Sequence, residues 1–146
     1  MSSPTQVAGA PVLAARSALR RASEALFRKR REQGYWWGDL TADTTLESDY
    51  ILLELWLHPP EGGVWNPPSR PQVDRAVRSI LARQLPDGGF NIYPGGPADV
   101  SASVKAYFAL KAAGLSADHP ALKAACRRIL ELGGIQAANS YVKINL

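Results

Sequence analysis

Acidic residues cluster between positions 39 and 54, at Asp39, Asp43, Glu47, Asp49 and Glu54. On one helix, Glu47 and Glu54 would share a face about 10 Å apart, and such a carboxyl pair could serve general acid–base chemistry. We favour capping for Glu47 and solvent or ion-pair roles for the others except Asp49. Asp49 lies on the most apolar predicted helix, where a buried acid is costly and therefore purposeful. It is our candidate for a functional acid.

Metal-binding and nucleophilic residues are scarce. The two histidines, His58 and His119, and the single cysteine, Cys126, are too scattered to supply the three or four ligands of a metal site. We expect Cys126 to be a small buried thiol. No dinucleotide fingerprint, phosphate-binding loop or serine-hydrolase elbow occurs. The sequence therefore predicts neither a metal nor a cofactor.

Aromatic residues could contribute in two ways. Their ring faces could line an apolar cavity and stabilise cations, or they could plug neighbouring helical hairpins together, which we favour. The residues concerned are Tyr35, Trp36, Trp37, Trp56, Trp65, Phe90 and Tyr93.

A degenerate repeat indicates how these residues are positioned. Residues 22–36 and 76–90 each read as a basic helical run, a polar turn with glycine and then an aromatic residue, and they are offset by 54 positions. Repetition of this kind is typical of stacked helical hairpins, which bury an apolar face only against their neighbours.

Hydrophobic periodicity predicts helices over 12–32, 44–58, 71–84, 99–113 and 119–132, and a sixth from about Asn139. Thr44 and Glu47 have the spacing of a capping box. Asp99 or Ser101 is expected to cap the fourth helix, and Asp118 the fifth.

The predicted helices alternate between basic and apolar composition, as the outer and inner rings of an α/α barrel require. No convincing strand occurs. We therefore predict an all-α fold, a partial α/α toroid of helical hairpins.

Composition indicates one globular domain. Of 146 residues, 46% are hydrophobic and 21% are charged, with a net charge of +4. We expect residues 1–12 to be a disordered leader and 13–146 to form the domain. The excess positive charge could attract anionic lipid or nucleic acid, but we favour solvated outer helix faces. No apolar run reaches the roughly 20 residues of a membrane-spanning helix.

Four stretches carry a family resemblance. Gln84-x-x-Asp87-Gly88-x-Phe90 resembles the QW motif of squalene–hopene cyclases and their oxidosqualene relatives, with Phe90 in the tryptophan position. The turn at 34–38, with Trp36, resembles the family's first such turn, although Arg30 replaces the glutamine. Residues 93–111 and 133–135 also match. The structural repeat residues are thus Trp36, Gln84, Asp87, Gly88 and Phe90.

The resemblance implies two α/α barrels around an apolar cavity that folds squalene. An acid in a D-x-D-D motif starts cyclisation, and deprotonation or water capture ends it. The resemblance also implies a bacterial enzyme that is peripheral to the cytoplasmic side of the membrane, often a homodimer, without nucleic acid or cofactor. Asp49 corresponds to an acid in the polar network near the cavity, although aspartate is shorter than glutamate.

This chain contains no D-x-D-D motif. We therefore expect the truncated N-terminal part of a squalene–hopene cyclase, inactive alone. One alternative is a split enzyme, completed by a separate C-terminal half. Another is a non-catalytic helical module that binds lipid or a partner chain. Protein prenyltransferase β subunits share the architecture, but they need zinc ligands that we do not find.

Overall fold

The computed structural model describes residues 9–38 and 41–146, and the chain divides into two compact units between Leu40 and Thr41. These described residues form helices and two isolated bridges, with no strand. The helices are α1 (Gly9–Arg28), α2 (Thr45–Leu57), α3 (Arg70–Ala82), α4 (Val100–Ala112), α5 (Pro120–Glu131), α6 (Gly134–Ala137) and α7 (Ser140–Asn145). The all-α prediction is confirmed.

Helix α1 is the only helix in the described part of the first unit, and it is displaced from the predicted 12–32. Pro11 is tolerated in its first turn because a backbone N–H there would have no intrahelical partner, and residues 9–12 of the predicted leader are helical. The helix ends at Arg28, where the N–H groups of Lys29 and Arg30 donate to carbonyls three residues back. This tightened turn leads into the glycine turn at Gly34. Residues 1–8 of the predicted leader lie outside the described residues.

The second unit is built from two adjacent hairpins. Helices α2 and α4 pack against each other, while α3 packs on α2 and α5 packs on α4. The buried side chains of α3 recur at three and four positions, as the predicted apolar stripe requires. Helix α4 is buried over most of its surface. The largest core side chains are Ile51, Val73, Ile80, Phe90, Leu110 and Leu122.

The predicted capping box at α2 is wrong. Thr44 has ψ near 1° and makes no side-chain cap hydrogen bond, because its backbone is not extended as a capping box requires. Asp43 instead accepts hydrogen bonds from both the backbone N–H and the hydroxyl of Thr45. Glu47 is turned toward α3, where it binds Ser79 and Arg83.

The cap predictions for α4 and α5 have different outcomes: the first is confirmed and the second is wrong. Asp99 caps α4 by accepting from the N–H of Ala102 at 2.9 Å, one of the two alternatives predicted. Asp118 does not cap α5. His119 occupies that position with extended ψ, and its Nδ1 accepts from the N–H of Ala121 at 3.2 Å. Asp118 instead pairs with Lys123.

The C-terminal part adds one helix that the sequence did not indicate. Helix α6 is a single turn that begins at Gly134, the second of two consecutive glycines with positive φ. It is too short to show a periodic apolar pattern. Asn139 caps α7 by accepting from the N–H of Val142 at 3.0 Å, as predicted. A small apolar cluster joins this segment to α4 and α5 through Val104, Ile129, Ala138 and Val142.

Candidate functional site

The turn after α3 links three helices. Gln84 Nε2 donates to the carbonyl oxygen of Gly88 at 2.9 Å and to that of Ala121, in the first turn of α5, at 2.8 Å. Phe90 is fully buried, and its N–H donates to Ser103 Oγ on α4 at 2.9 Å. The motif therefore fixes the end of α3 against the beginnings of α4 and α5.

The geometry of this turn also explains why positions 87 and 88 are aspartate and glycine. Asp87 Oδ1 accepts from the N–H of Gly89 at 2.9 Å, and its Oδ2 lies 3.0 Å from Nε of Arg128 on α5. Gly88 has φ +89°, and a Cβ there would lie 2.7 Å from the backbone of Ala124. Both its conformation and its close contact with α5 require glycine.

The turn after α1 has the same backbone geometry within the first unit. Arg31 N–H donates to the Tyr35 carbonyl at 2.8 Å, and Gly34 N–H donates to the Arg31 carbonyl at 2.9 Å. Leu85, Gly88 and Gly89 make the two equivalent bonds at 2.9 and 2.8 Å. The φ angles of Gly34 and Gly88 are +93° and +89°. The 54-residue repeat is therefore a repeat of backbone structure.

Side chains in the first turn differ from those in the second. Trp36 is 45% exposed, and its Nε1 donates to the carbonyl oxygen of Leu26 at 2.7 Å. The Arg30 guanidinium, in the glutamine position, lies 5.8 Å from the Trp36 ring centroid. Phe27 lies 6.0 Å from the same ring. An aromatic and cationic cluster therefore replaces the glutamine hydrogen bonds here.

The acidic cluster does not form a catalytic carboxyl pair. Glu47 accepts from Ser79 Oγ at 2.9 Å and pairs with Arg83 at 3.1 Å. Glu54 accepts a hydrogen bond from Ser69 Oγ. Both carboxylates are thus occupied by α3 or the loop before it, and for Glu47 these contacts replace the capping role that was predicted. Asp39 lies outside the described residues.

Asp49 is separate from these contacts, and the expectation that it is buried is wrong. Its side chain is 46% exposed, and Oδ1 lies 2.6 Å from Nζ of Lys105 on α4. The lysine is the buried partner, with a side chain only 8% exposed. A desolvated ammonium is costly unless an acid pairs with it, which explains the short contact. The functional role of Asp49 stays a prediction.

Asp49 shares a helix face with exposed apolar side chains. On α2 it lies three positions after Leu46, four before Leu53 and seven before Trp56, and these three are between 51% and 78% exposed. On α4, Phe108 is three positions after Lys105 and is 38% exposed. We call these residues, with the ion pair, the α2–α4 face.

The aromatic residues fall into two groups, those that pack into the structure and those that are exposed. Phe90 fills the core between the hairpins, as the plug interpretation predicts, and Trp65 is half-buried with its Nε1 bound to the His58 carbonyl at 2.8 Å. Trp56 and Tyr93 are exposed. An entirely apolar cleft of about 230 Å³ adjoins Phe108 and includes Cys126, which is half-buried rather than buried.

Residues 9–38 and 41–146 contain no group of three or more histidine, cysteine or acidic side chains that could hold a metal ion. In that same part of the chain, no helix is both long and apolar enough to cross a membrane. His58 lies 3.9 Å from Glu54, and His119 is used as a helix cap.

Comparison with known proteins agrees with this geometry. The squalene–hopene cyclase N-terminal domain model matches residues 19–146. The chain is 34% identical over 126 residues to squalene–hopene cyclase of Alicyclobacillus acidocaldarius and 38% identical over 128 to that of Zymomonas mobilis. The alignments cover 86% and 88% of this chain. Dammaradiene synthase of Dryopteris crassirhizoma is 26% identical over 129 residues, covering 88% of this chain.

The chain spans about a fifth of the length of these relatives, at 19%, 18% and 18%. The matched segment includes both glycine turns, helices α2 to α7 and the α2–α4 face. Its all-helical structure, built of paired hairpins, is that of an α/α toroid domain. The chain belongs to the squalene–hopene cyclase family and corresponds to its N-terminal domain.

Proposed function

We propose that this chain is the N-terminal part of an enzyme that cyclises squalene to hopanoid triterpenes by acid-initiated polyene cyclisation. The observation that carries the proposal is the turn from Gln84 to Phe90, which joins three helices through the side chains of the family motif. The match over residues 19–146 supports the same assignment. The general acid belongs to helices beyond this fifth of the enzyme.

The role of this segment in the reaction is to build part of the cavity wall. The α2–α4 face supports this role, because it presents Leu53, Trp56 and Phe108 without burying them. An apolar wall suits a hydrocarbon substrate, and aromatic rings stabilise cations that develop beside them. Asp49 supplies the polar group of this wall. The chain alone has no cyclase activity.

The partners in the proposed enzyme are squalene, the C-terminal half that completes the toroid and a second copy in a homodimer. A further partner is the cytoplasmic surface of the bacterial membrane, where the enzyme is peripheral. Exposed Arg16, Arg20 and Arg28 on α1, with exposed Leu19 and Leu26, support attraction to an anionic surface. The enzyme uses no cofactor and binds no nucleic acid.

A graft tests the proposal. Residues 19–146 replace the matching segment of the Alicyclobacillus acidocaldarius squalene–hopene cyclase, and squalene consumption is followed by gas chromatography. We expect the graft to convert squalene, whereas the 146-residue chain alone does not. A graft carrying Gly88→Val is the matched control, because it disrupts the turn. A folded graft without turnover would contradict the proposal.

A further inference from the structure

The Asp49–Lys105 pair is a charged contact on an apolar face. Among the described residues it is the ion pair that connects α2 with α4. The exposed apolar side chains of the face lie three, four or seven positions from Asp49 or Lys105, namely Leu46, Leu53, Trp56 and Phe108. Charges placed beside apolar surface lose hydration. A charged pair in this position therefore needs an explanation other than solubility.

The two partners have unequal environments. The Lys105 side chain is 8% exposed and the Asp49 side chain is 46% exposed. The ammonium is therefore the more buried partner, and the Asp49 carboxylate is the partner that reaches solvent. Lys105 Nζ lies 2.6 Å from Asp49 Oδ1, and a short distance of this kind is typical of a strong, charge-assisted hydrogen bond.

Hydrogen-bonding capacity remains on the exposed side of the pair. A carboxylate accepts through two oxygens and an ammonium donates three hydrogens. Within residues 9–38 and 41–146, the contact between Nζ and Oδ1 is the one polar contact of either side chain. Oδ2 of Asp49 therefore stays available to a molecule that lies against the α2–α4 face.

We propose that Lys105 is a positioning residue that holds Asp49 in one orientation, so that Oδ2 is presented to the cavity as part of a neutral ion pair. The inference rests on the proposed function. In a hydrocarbon-binding cavity, a pair of this kind orients a small hydrogen-bonding molecule, such as water or an alcohol, without adding net charge. Lys105 acts through Asp49 and does not contact the substrate.

The first test uses the 146-residue chain and compares wild type, Lys105→Met and Lys105→Arg. Three-bond couplings of the Asp49 β-protons, measured by nuclear magnetic resonance, report its χ1 order. We expect one rotamer in wild type and Lys105→Arg, and averaging in Lys105→Met. The control is Lys123→Met, which removes the exposed contact with Asp118 and should leave Asp49 unchanged. The same couplings in all variants would overturn the inference.

The second test uses the graft described above. Because misorientation of a group at the reacting centre lowers the rate more than affinity, we expect Lys105→Met and Asp49→Asn to lower kcat about tenfold with KM within about twofold. The ratio of alcohol to alkene products should shift with kcat, and Lys105→Arg should restore both.

The outcomes of the two tests separate the inference from the proposed function. An inactive wild-type graft contradicts only the proposed function, and the Asp49 couplings then decide the inference. In an active graft, Asp49→Asn with unchanged kcat and product ratio overturns the inference, whether or not Lys105→Met folds. A Lys105→Met graft with less folded enzyme but unchanged kcat per folded molecule also overturns it.

Discussion

Gln84 Nε2 donates to the carbonyl oxygen of Ala121 at 2.8 Å, across 37 positions of the chain. The contact joins the segment after α3 to the first turn of α5, so neighbouring hairpins are connected by a side chain as well as by apolar packing. The same nitrogen also holds the Gly88 carbonyl at 2.9 Å. One amide group therefore satisfies two backbone acceptors at the junction.

Replacing Gln84 by methionine should destabilise the chain. Both carbonyl acceptors lose their partner in a half-buried position, which costs about 1–3 kcal/mol in the free energy of unfolding. Urea denaturation followed by circular dichroism measures the change. Gln72→Met on the exposed side of α3 is the matched control. Equal stability of the two variants would show that the junction bonds contribute nothing.

Two glycine substitutions separate backbone strain from steric conflict. Gly95→Ala meets no atom within 4 Å but keeps φ +77°, so it should cost about 1–2 kcal/mol. Gly88→Ala has the same type of strain and also places Cβ 2.7 Å from the Ala124 backbone. We expect it to lower the unfolding free energy by clearly more than Gly95→Ala. Thermal melts of both variants compare the two costs, and equal melting temperatures would contradict the close contact.

Phe90 should tolerate neither truncation nor enlargement. Its ring is completely buried, so Phe90→Ala is expected to cost about 3–5 kcal/mol. Phe90→Trp, which restores the motif's tryptophan, overfills a core built for phenylalanine and should cost about 1–3 kcal/mol. Chemical denaturation measures both. A stabilised tryptophan variant would mean that the core has room for the larger ring.

The cap of α5 can be improved. His119 accepts from the N–H of Ala121 through Nδ1 at 3.2 Å, whereas aspartate is among the strongest N-caps and interacts favourably with the helix dipole. We expect His119→Asp to raise the unfolding free energy by about 0.5–1 kcal/mol and His119→Ala to lower it. Scanning calorimetry would detect both changes. A loss of stability with aspartate would indicate that repulsion from Asp118 outweighs the better cap.

The helices were predictable because their apolar positions recur regularly, and the limits of α2 to α5 lie within two residues of the observed ones. Caps were less predictable. Thr44 and Asp118 have suitable residue types, but Asp43 and His119 make the bonds. Several neighbouring polar side chains can compete for the same backbone donors, and the backbone conformation decides between them.

The candidate site was predictable in part. Asp49 was identified because an acid on an apolar helix is unusual, but its partner was not. Lys105 lies between Val104 and Ala106 in a helix with strong apolar character, and this pattern by itself was a signal of a buried lysine. Its pairing depends on how α2 and α4 pack, which local sequence does not specify.

The repeated glycine turn has an evolutionary consequence. The two hydrogen bonds that both copies share join backbone atoms, and both copies place a glycine with positive φ at the same position of the turn. A duplicated hairpin therefore forms the same glycine turn from the start, whatever its side chains later become. Selection can then change the side chains of one copy alone, as the amide of Gln84 and the guanidinium of Arg30 illustrate. Such changes make an individual turn more or less stable without altering the path of the backbone.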